Sequence, residues 1–282
     1  MTLDRDQRLA FLISFMISAL PATADARRQP GAPSSVETRA EVEAFLSKAS
    51  VVGDAGPPSG ATRFWRVSLV DGNRKHDAGV ETADGSDPTR RDHKFNVAAY
   101  ELNKVLGLNL VVPSVERLMS GRLASLTWWV DNFAMNELDR RKKGIDPPDL
   151  ESWNKQVQAV RVFDELISNT YRDTSPPLYL NTVWDNLLIT RDWAIWITDH
   201  TGAFRTRRQL QDPESLTRCD RALWGRLRLL NRELLQRTLG KYLSSQQLDA
   251  LEVRRELLVK QFDEQIARKG EAAVLYDLPP RQ

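Results

Sequence analysis

The sequence predicts an α+β domain of two lobes, a small one rich in strands followed by one that is mainly helical. Three observations carry this expectation. Strand signals dominate residues 64–130, around a single helical stretch. From residue 147 onward apolar side chains recur at three and four positions instead of two. Strands therefore come first and helices after, the order of an α+β domain rather than of alternating βα units.

The elements follow in order. Arg5 and Arg8 precede an apolar run from Leu9 to Leu20, and Pro21-Ala22-Thr23-Ala24-Asp25-Ala26 offers two small-x-small sites. That succession predicts a secretory signal peptide over residues 1–26, cut after Ala24 or Ala26. The run is about a dozen residues, against the roughly 20 a spanning helix needs, so no stable membrane span is expected after cleavage. The alternative is a buried first helix. Residues 27–45 read as a polar Pro/Ser/Arg linker leading into a short helix from Glu41, with Val42, Phe45 and Leu46 on one face. Gly53–Gly60 is a Gly/Pro loop. Phe64–Val70 alternates ahead of Asp71-Gly72, a hairpin turn, and Lys75–Glu81 returns. Residues 83–94 read as an exposed loop. Phe95–Leu108 carries Ala98, Leu102, Val105 and Leu106 on one helical face and stops at Gly107. Val111–Leu118 and Leu123–Val130 form strands around Ser120-Gly121.

Pro147-Pro148-Asp149 opens a long helix with Val157, Val160, Phe163, Leu166 and Ile167 in register. Residues 170–185 read as an irregular loop. Leu187–Thr190 and Trp193–Ile197 form a hairpin turning at Arg191-Asp192, and helices are expected over about 219–239 and 245–268. The lobes are thus expected at 46–135 and 136–282. With 40 basic and 38 acidic residues the net charge is +2, which gives no whole-chain field for nucleic acid or a membrane surface. Cys219 is the only cysteine, so an exported chain of this kind relies on its core without an internal disulfide.

Several segments, taken together and in order, resemble a known group. Asn96-Val97-Ala98-Ala99-Tyr100-Glu101-Leu102, Leu106-Gly107-Leu108 and Val112-Pro113-Ser114-Val115-Glu116-Arg117 are similar to one stretch of the atypical kinases. That group comprises the phosphatidylinositol-kinase-like, HipA-like and secreted Golgi casein-kinase types. Val162–Thr170 resembles the segment leading into their catalytic loop. Asp185-Asn186-Leu187-Leu188-Ile189 and Ile197-Thr198-Asp199-His200-Thr201-Gly202-Ala203-Phe204 resemble their metal-binding hairpin. The resemblance covers about residues 62–206 and implies a two-lobed protein-kinase-like fold. It implies Mg²⁺ or Mn²⁺ with ATP as cofactors, bound by Asn186 and Asp199. Phosphoryl transfer is mostly positioning and charge neutralisation, which is why an amide and a carboxylate would be brought together by a short hairpin.

The departures from the pattern are as specific. The position of the catalytic Asp is Tyr171, a poor base with an ordinary pKa near 10. Asp173 would substitute as the catalytic residue with Arg172 beside it, and Asp185 is a further candidate; Arg172 could equally form a surface ion pair. Thr174–Trp184 is an insertion. Glu81 stands where a phosphate-holding lysine is expected, and Asn96 where the helix acid that orients it belongs. Gly202 replaces an arginine. His200 is expected to pack or hydrogen-bond locally. Trp128, Trp129, Trp184, Trp193 and Trp196 raise carbohydrate stacking, though Trp193 and Trp196 read more simply as core and rim. Arg140-Arg141-Lys142-Lys143 reads as a solvated loop. Two functions follow: an exported phosphotransferase acting on a hydroxyl of an unknown protein or small molecule, or a catalytically inactive scaffold.

Overall fold

Thr38 begins the described chain with a capping box: its side chain accepts from the Glu41 N–H while the Glu41 carboxylate takes the Thr38 N–H. The computed structural model describes residues 38–53, 64–82, 92–169 and 186–279. Helix α1 (Arg39–Lys48) turns Val42, Phe45 and Leu46 inward, as its pattern predicts.

A five-stranded antiparallel sheet follows, in the order β1-β2-β3-β5-β4. Its strands are β1 (Ser50–Val52), β2 (Phe64–Asp71), β3 (Arg74–Thr82), β4 (Ser114–Met119) and β5 (Arg122–Trp128). Gly72 takes φ +57 in the β2–β3 turn, a conformation open to glycine at little cost. Alternation divides the sheet into two faces. Trp65, Val67, Leu69, Ala78, Val80, Ala124 and Leu126 are buried against α1 in one core. That shared core means a lobe boundary at residue 46 runs through α1. Phe64, Arg66, Asp77, Gly79, Glu81, Ser125 and Thr127 occupy the opposite face. Helix α2 (Lys94–Leu106) crosses from β3 to β4 and ends at Gly107 with φ +60. Nine of its residues are buried, because it packs against the sheet on one side and the helical lobe on the other.

The second lobe is built on α4 (Leu150–Ile167), whose Val160, Val162, Phe163, Leu166 and Ile167 join the larger core. Burying each such side chain contributes about 1.5–3 kcal/mol. A three-stranded sheet of β6 (Phe133–Asn136), β7 (Leu187–Thr190) and β8 (Ile195–Ile197) lies at its edge. Helices α5 (Arg221–Leu229), α6 (Arg232–Leu239) and α7 (Ser245–Lys269) complete the lobe, with α8 (Glu271–Val274) and a parallel pair of β9 (Cys219–Asp220) and β10 (Leu275–Tyr276). Cys219 is fully buried and free, and burial pushes its thiol pKa up.

Three local expectations differ. The stretch 219–239 is two helices, because Asn231 adopts an extended backbone and caps the second by accepting from the Leu234 N–H. β6 was not anticipated; four residues leave too short a pattern. The basic run at 140–143 is not a loop, although Arg141, Lys142 and Lys143 are exposed. It lies on α3 (Glu137–Lys142), where Arg140 Nε and Arg141 Nε each donate to buried Glu137 at 2.6 Å and Arg140 covers the Trp153 ring. Among the described residues no helix is long and apolar enough to cross a membrane.

Candidate functional site

The β7–β8 hairpin positions the first pair of side chains. Leu187 pairs with Ile197, and the register continues as Thr198 N–H donates to the Asn186 carbonyl at 3.1 Å. Asn186 and Asp199 thereby emerge from the same end of the hairpin, and Asn186 Nδ2 donates to Asp199 Oδ2 at 3.2 Å. The other oxygen of Asp199 accepts from the Thr201 hydroxyl at 2.6 Å and the Thr201 N–H at 3.3 Å. Asp199 holds a left-handed backbone, φ +50, which costs a non-glycine residue on the order of 1 kcal/mol.

Buried polar groups hold the chain on either side. Helix α4 ends at Ser168 with φ 51, and the Phe204 N–H donates to the Ile167 carbonyl at 2.6 Å. Arg254 of α7 is fully buried. Its Nε donates to the Leu166 carbonyl at 2.8 Å and its Nη1 to the carbonyls of Arg205, at 3.0 Å, and Arg207. Glu165 accepts the N–H groups of Gln211 and Asp212 at 2.7 and 2.8 Å. A buried arginine thus takes the carbonyls, and a buried glutamate the amides, of the segment running on from Asp199. Burial pushes the Arg254 pKa down to about 10 and that of Glu165 up, as desolvation of a charged group requires.

The facing wall comes from β3 and α2. Asn96, 3 % exposed, donates through Nδ2 to Glu81 Oε2 at 2.9 Å and to Ser125 Oγ at 3.0 Å. Its Oδ1 accepts the N–H of His200 at 2.7 Å. A kinase places a lysine on the strand and a carboxylate on the helix; here the strand carries the carboxylate and the helix the donor. Two acids could not pair in this way, so Asn96 is the change that makes Glu81 tolerable. His200 is buried with its ring edge-on to Phe163.

Between the walls lies a cavity of about 220 Å³, bounded by Phe64, Gly79 and Trp129 above and by Asn186, Leu188 and Thr198 below. A larger groove of about 700 Å³ runs along α7 beside Pro213–Thr217, and neither Asn186 nor Asp199 lines it. Asp77 on the upper wall is held below the usual carboxylate range; burial works against its charge, but Ser68 and Arg66 hydrogen-bond to it and prevail.

The structure brings together Asn186 and Asp199, two of the residues singled out in the sequence. Asp173 and Arg172, with Tyr171 and Asp185, lie outside the described residues. Ser125, Glu165 and Arg254 had no sequence signal beyond a polar residue at a buried position of the helix or strand period. The Asn186 side chain turns its amide nitrogen to Asp199; with the amide turned over, its oxygen and the Asp199 carboxylate would be neighbouring hard ligands, and a divalent cation such as Mg²⁺ takes one or two protein oxygens beside phosphate and water. No cluster of three or more His, Cys, Asp or Glu side chains is found among the described residues. The Glu81–Asn96 pair does not fit a triphosphate held in the usual manner, since a carboxylate repels it.

The two lobes, the order of the sheet and the β7–β8 hairpin define a kinase-like fold. Solved structures show the same architecture. The chain is similar to the structure of Fam20 from hydra with sugar, at TM-score 0.57 and 15 % identity, over 86 % of this chain and 94 % of that one. It is similar to the Golgi casein kinase at TM-score 0.51 and 12 % identity, over 86 % and 78 %. At these identities the likeness shows the fold alone. No protein-family model matches the chain, and no curated protein matches it in sequence.

Proposed function

We propose that this chain is an exported kinase-like phosphotransferase, using ATP with Mg²⁺ or Mn²⁺ and transferring a phosphoryl group to a hydroxyl of a protein or small molecule. The observation that carries this reading is the Asn186–Asp199 pair at the mouth of the cleft. The cation, when bound, neutralises charge on the transferring phosphate. Asn186 and Asp199 would supply oxygen ligands to the cation, Thr201 fixes the Asp199 carboxylate, and Arg254 with Glu165 holds the segment beyond it. Asp173 is the proposed acceptor of the hydroxyl proton and Arg172 its neighbour, with Asp185 the other carboxylate candidate. The pattern of residues 1–26 supports export.

A second reading, an inactive scaffold, is favoured by one observation: Glu81 and Asn96 replace the lysine–glutamate pair. Thermal unfolding with Mg²⁺ or Mn²⁺, with and without ATP, separates binding from its absence. A ligand specific to the folded state stabilises it by about 2.7 kcal/mol at a hundredfold excess over its dissociation constant. A metal-dependent shift accompanied by transfer of labelled phosphate to a hydroxyl acceptor supports the enzyme. A shift without turnover supports the scaffold, and no shift removes the nucleotide from both.

A further inference from the structure

Residues 129–132 carry the chain from the five-stranded sheet to the second lobe, between the end of β5 at Trp128 and the start of β6 at Phe133. Both ends of this connector are pinned by backbone bonds. The Trp129 N–H donates to the Asp77 carbonyl of β3 at 3.1 Å, and the Asn132 carbonyl accepts the Arg191 N–H of the β7–β8 turn at 3.0 Å. Between them, Asp131 accepts the indole N–H of Trp128 at 3.3 Å. Its two carboxylate oxygens also lie 3.0 and 3.1 Å from His76 Nε2.

His76 sits on β3 and lies flat on Trp128, with ring centroids 3.3 Å apart and planes 9° apart. Its Nδ1 is 2.7 Å from the Asp77 carbonyl oxygen, the atom that also takes the Trp129 N–H. Each ring nitrogen therefore faces an oxygen that can only accept. A neutral imidazole has one N–H, so it satisfies one of these contacts and sets a lone pair against oxygen in the other. The imidazolium donates to both, and a cation over an indole face gains further attraction. The other charged groups nearby are few. Arg74, on the same face of β3, lies 4.1 Å from the Phe45 ring centre and 5.2 Å from that of Trp128, and donates to the Glu41 carbonyl of α1. The Asp77 carboxylate is held on the opposite face by Arg66 and Ser68, and the register partner on β2 is the uncharged Leu69. Of these groups only the imidazole changes charge between about pH 5 and 8.

We infer that His76 is a proton-operated latch on the connector between the lobes: the imidazolium holds Asp131 to β3, and loss of one ring proton lets the connector go. The latch is closed on the acid side and opens as pH rises, because the form that makes both bonds is the protonated one. It stands apart from the choice between enzyme and scaffold, since both place their ligand between the two lobes that the connector joins.

The test is amide hydrogen exchange across residues 129–133 in the full chain, read by mass spectrometry at both ends of that pH range. Each rate is divided by that of the same peptide in the unfolded chain, which removes the intrinsic pH dependence of exchange. Protection in the wild type should fall about tenfold or more from the acid to the alkaline end. Peptides from the middle of α4 should show no such fall. His76→Phe keeps a ring on Trp128 but has no N–H to give, and should show the low protection at both ends. Asp131→Asn removes the charge on the other partner and should flatten the dependence as well. The ¹⁵N signals of the His76 ring should report two protonated nitrogens at the acid end. Equal protection at both ends in the wild type, a fall that persists in His76→Phe, or a ring with a single proton at the acid end overturns the latch.

Discussion

The hairpin wall of the cleft and the β3–α2 wall opposite it are held together by different means, and they have departed from the kinase pattern to different degrees. On the hairpin wall Asn186 and Asp199 are brought together by the backbone ladder of β7 and β8, whose partners lie within a dozen or so residues. On the other wall Glu81, Asn96 and Ser125 meet only through side chains carried by three separate elements. A site fixed by local backbone pairing can keep its ligands whatever happens elsewhere. A site fixed by side-chain complementarity can exchange both partners at once, provided donors still meet acceptors. The upper wall has done this: its hydrogen bonds are satisfied while its charge is reversed.

Breaking the lower wall should have the largest functional effect. Asp199→Ala is expected to abolish both the metal-dependent shift with ATP and any phosphate transfer, while lowering the unliganded unfolding midpoint only by the loss of its hydrogen bonds to Asn186 and Thr201 and the strain of alanine at φ +50. Retained transfer would remove Asp199 from the site. The support behind that wall should dominate stability instead. Arg254→Met leaves the carbonyls of Leu166, Arg205 and Arg207 without their donor and should cost about 3 kcal/mol in denaturant unfolding. Arg254→Lys should recover little, because one ammonium cannot span both segments; a fully stable lysine variant would show that the fork is not what holds them.

The upper wall should respond to charge. Asn96→Asp sets two carboxylates in contact, so one must carry a proton, at an expected cost of about 2 kcal/mol at pH 7. The introduced acid would have a folded pKa above its unfolded value. The variant should therefore approach wild-type stability below about pH 4 and lose ground as pH rises. Pairing Glu81→Lys with Asn96→Glu should recover at least about 1 kcal/mol relative to the summed single changes; additivity would mean that the two side chains do not act as a unit.

The smallest effect is expected away from the cleft, where Lys241 reaches Glu116 of β4 at 2.8 Å. Lys241→Ala should cost less than about 1 kcal/mol, and less still in high salt. Burial of Glu116 disfavours its charge, but Lys241 and then His93 outweigh this and hold its pKa below the ordinary value. Its share of stability is thus present above the unfolded-state pKa and lost as pH falls through the folded one. Titration of unfolding between about pH 6 and 3 in wild type and variant checks the sign.

How far the sequence could be read follows the same division. The β2–β3 turn, α2 with its Gly107 stop, α4 and the β7–β8 hairpin were legible because each is specified by neighbours along the chain. Asn186 and Asp199 were singled out by resemblance, and it is the legible hairpin that brings them together. Arg254 was not: it lies 88 residues from the Leu166 carbonyl it binds, and its own helix reads as an ordinary charged surface there. Glu137 likewise disguised itself, since a basic run looks solvated until one buried acid is seen to gather it. That Glu81 and Asn96 depart from the pattern was visible; that they bond to each other was not, because pairing across 15 residues depends on how helix and sheet meet.

Cys219 gives the helical lobe a built-in chemical timer. It is the single thiol of the chain, wholly enclosed beside the β9–β10 pair, and its raised pKa leaves almost no thiolate to react while the lobe is closed. Labelling by a thiol reagent can proceed only during openings of that lobe, so its rate counts them directly. A ligand in the cleft that slows the labelling would show that occupancy there is felt through the core that Cys219 shares with α4 and the β7–β8 hairpin, with no engineered probe required.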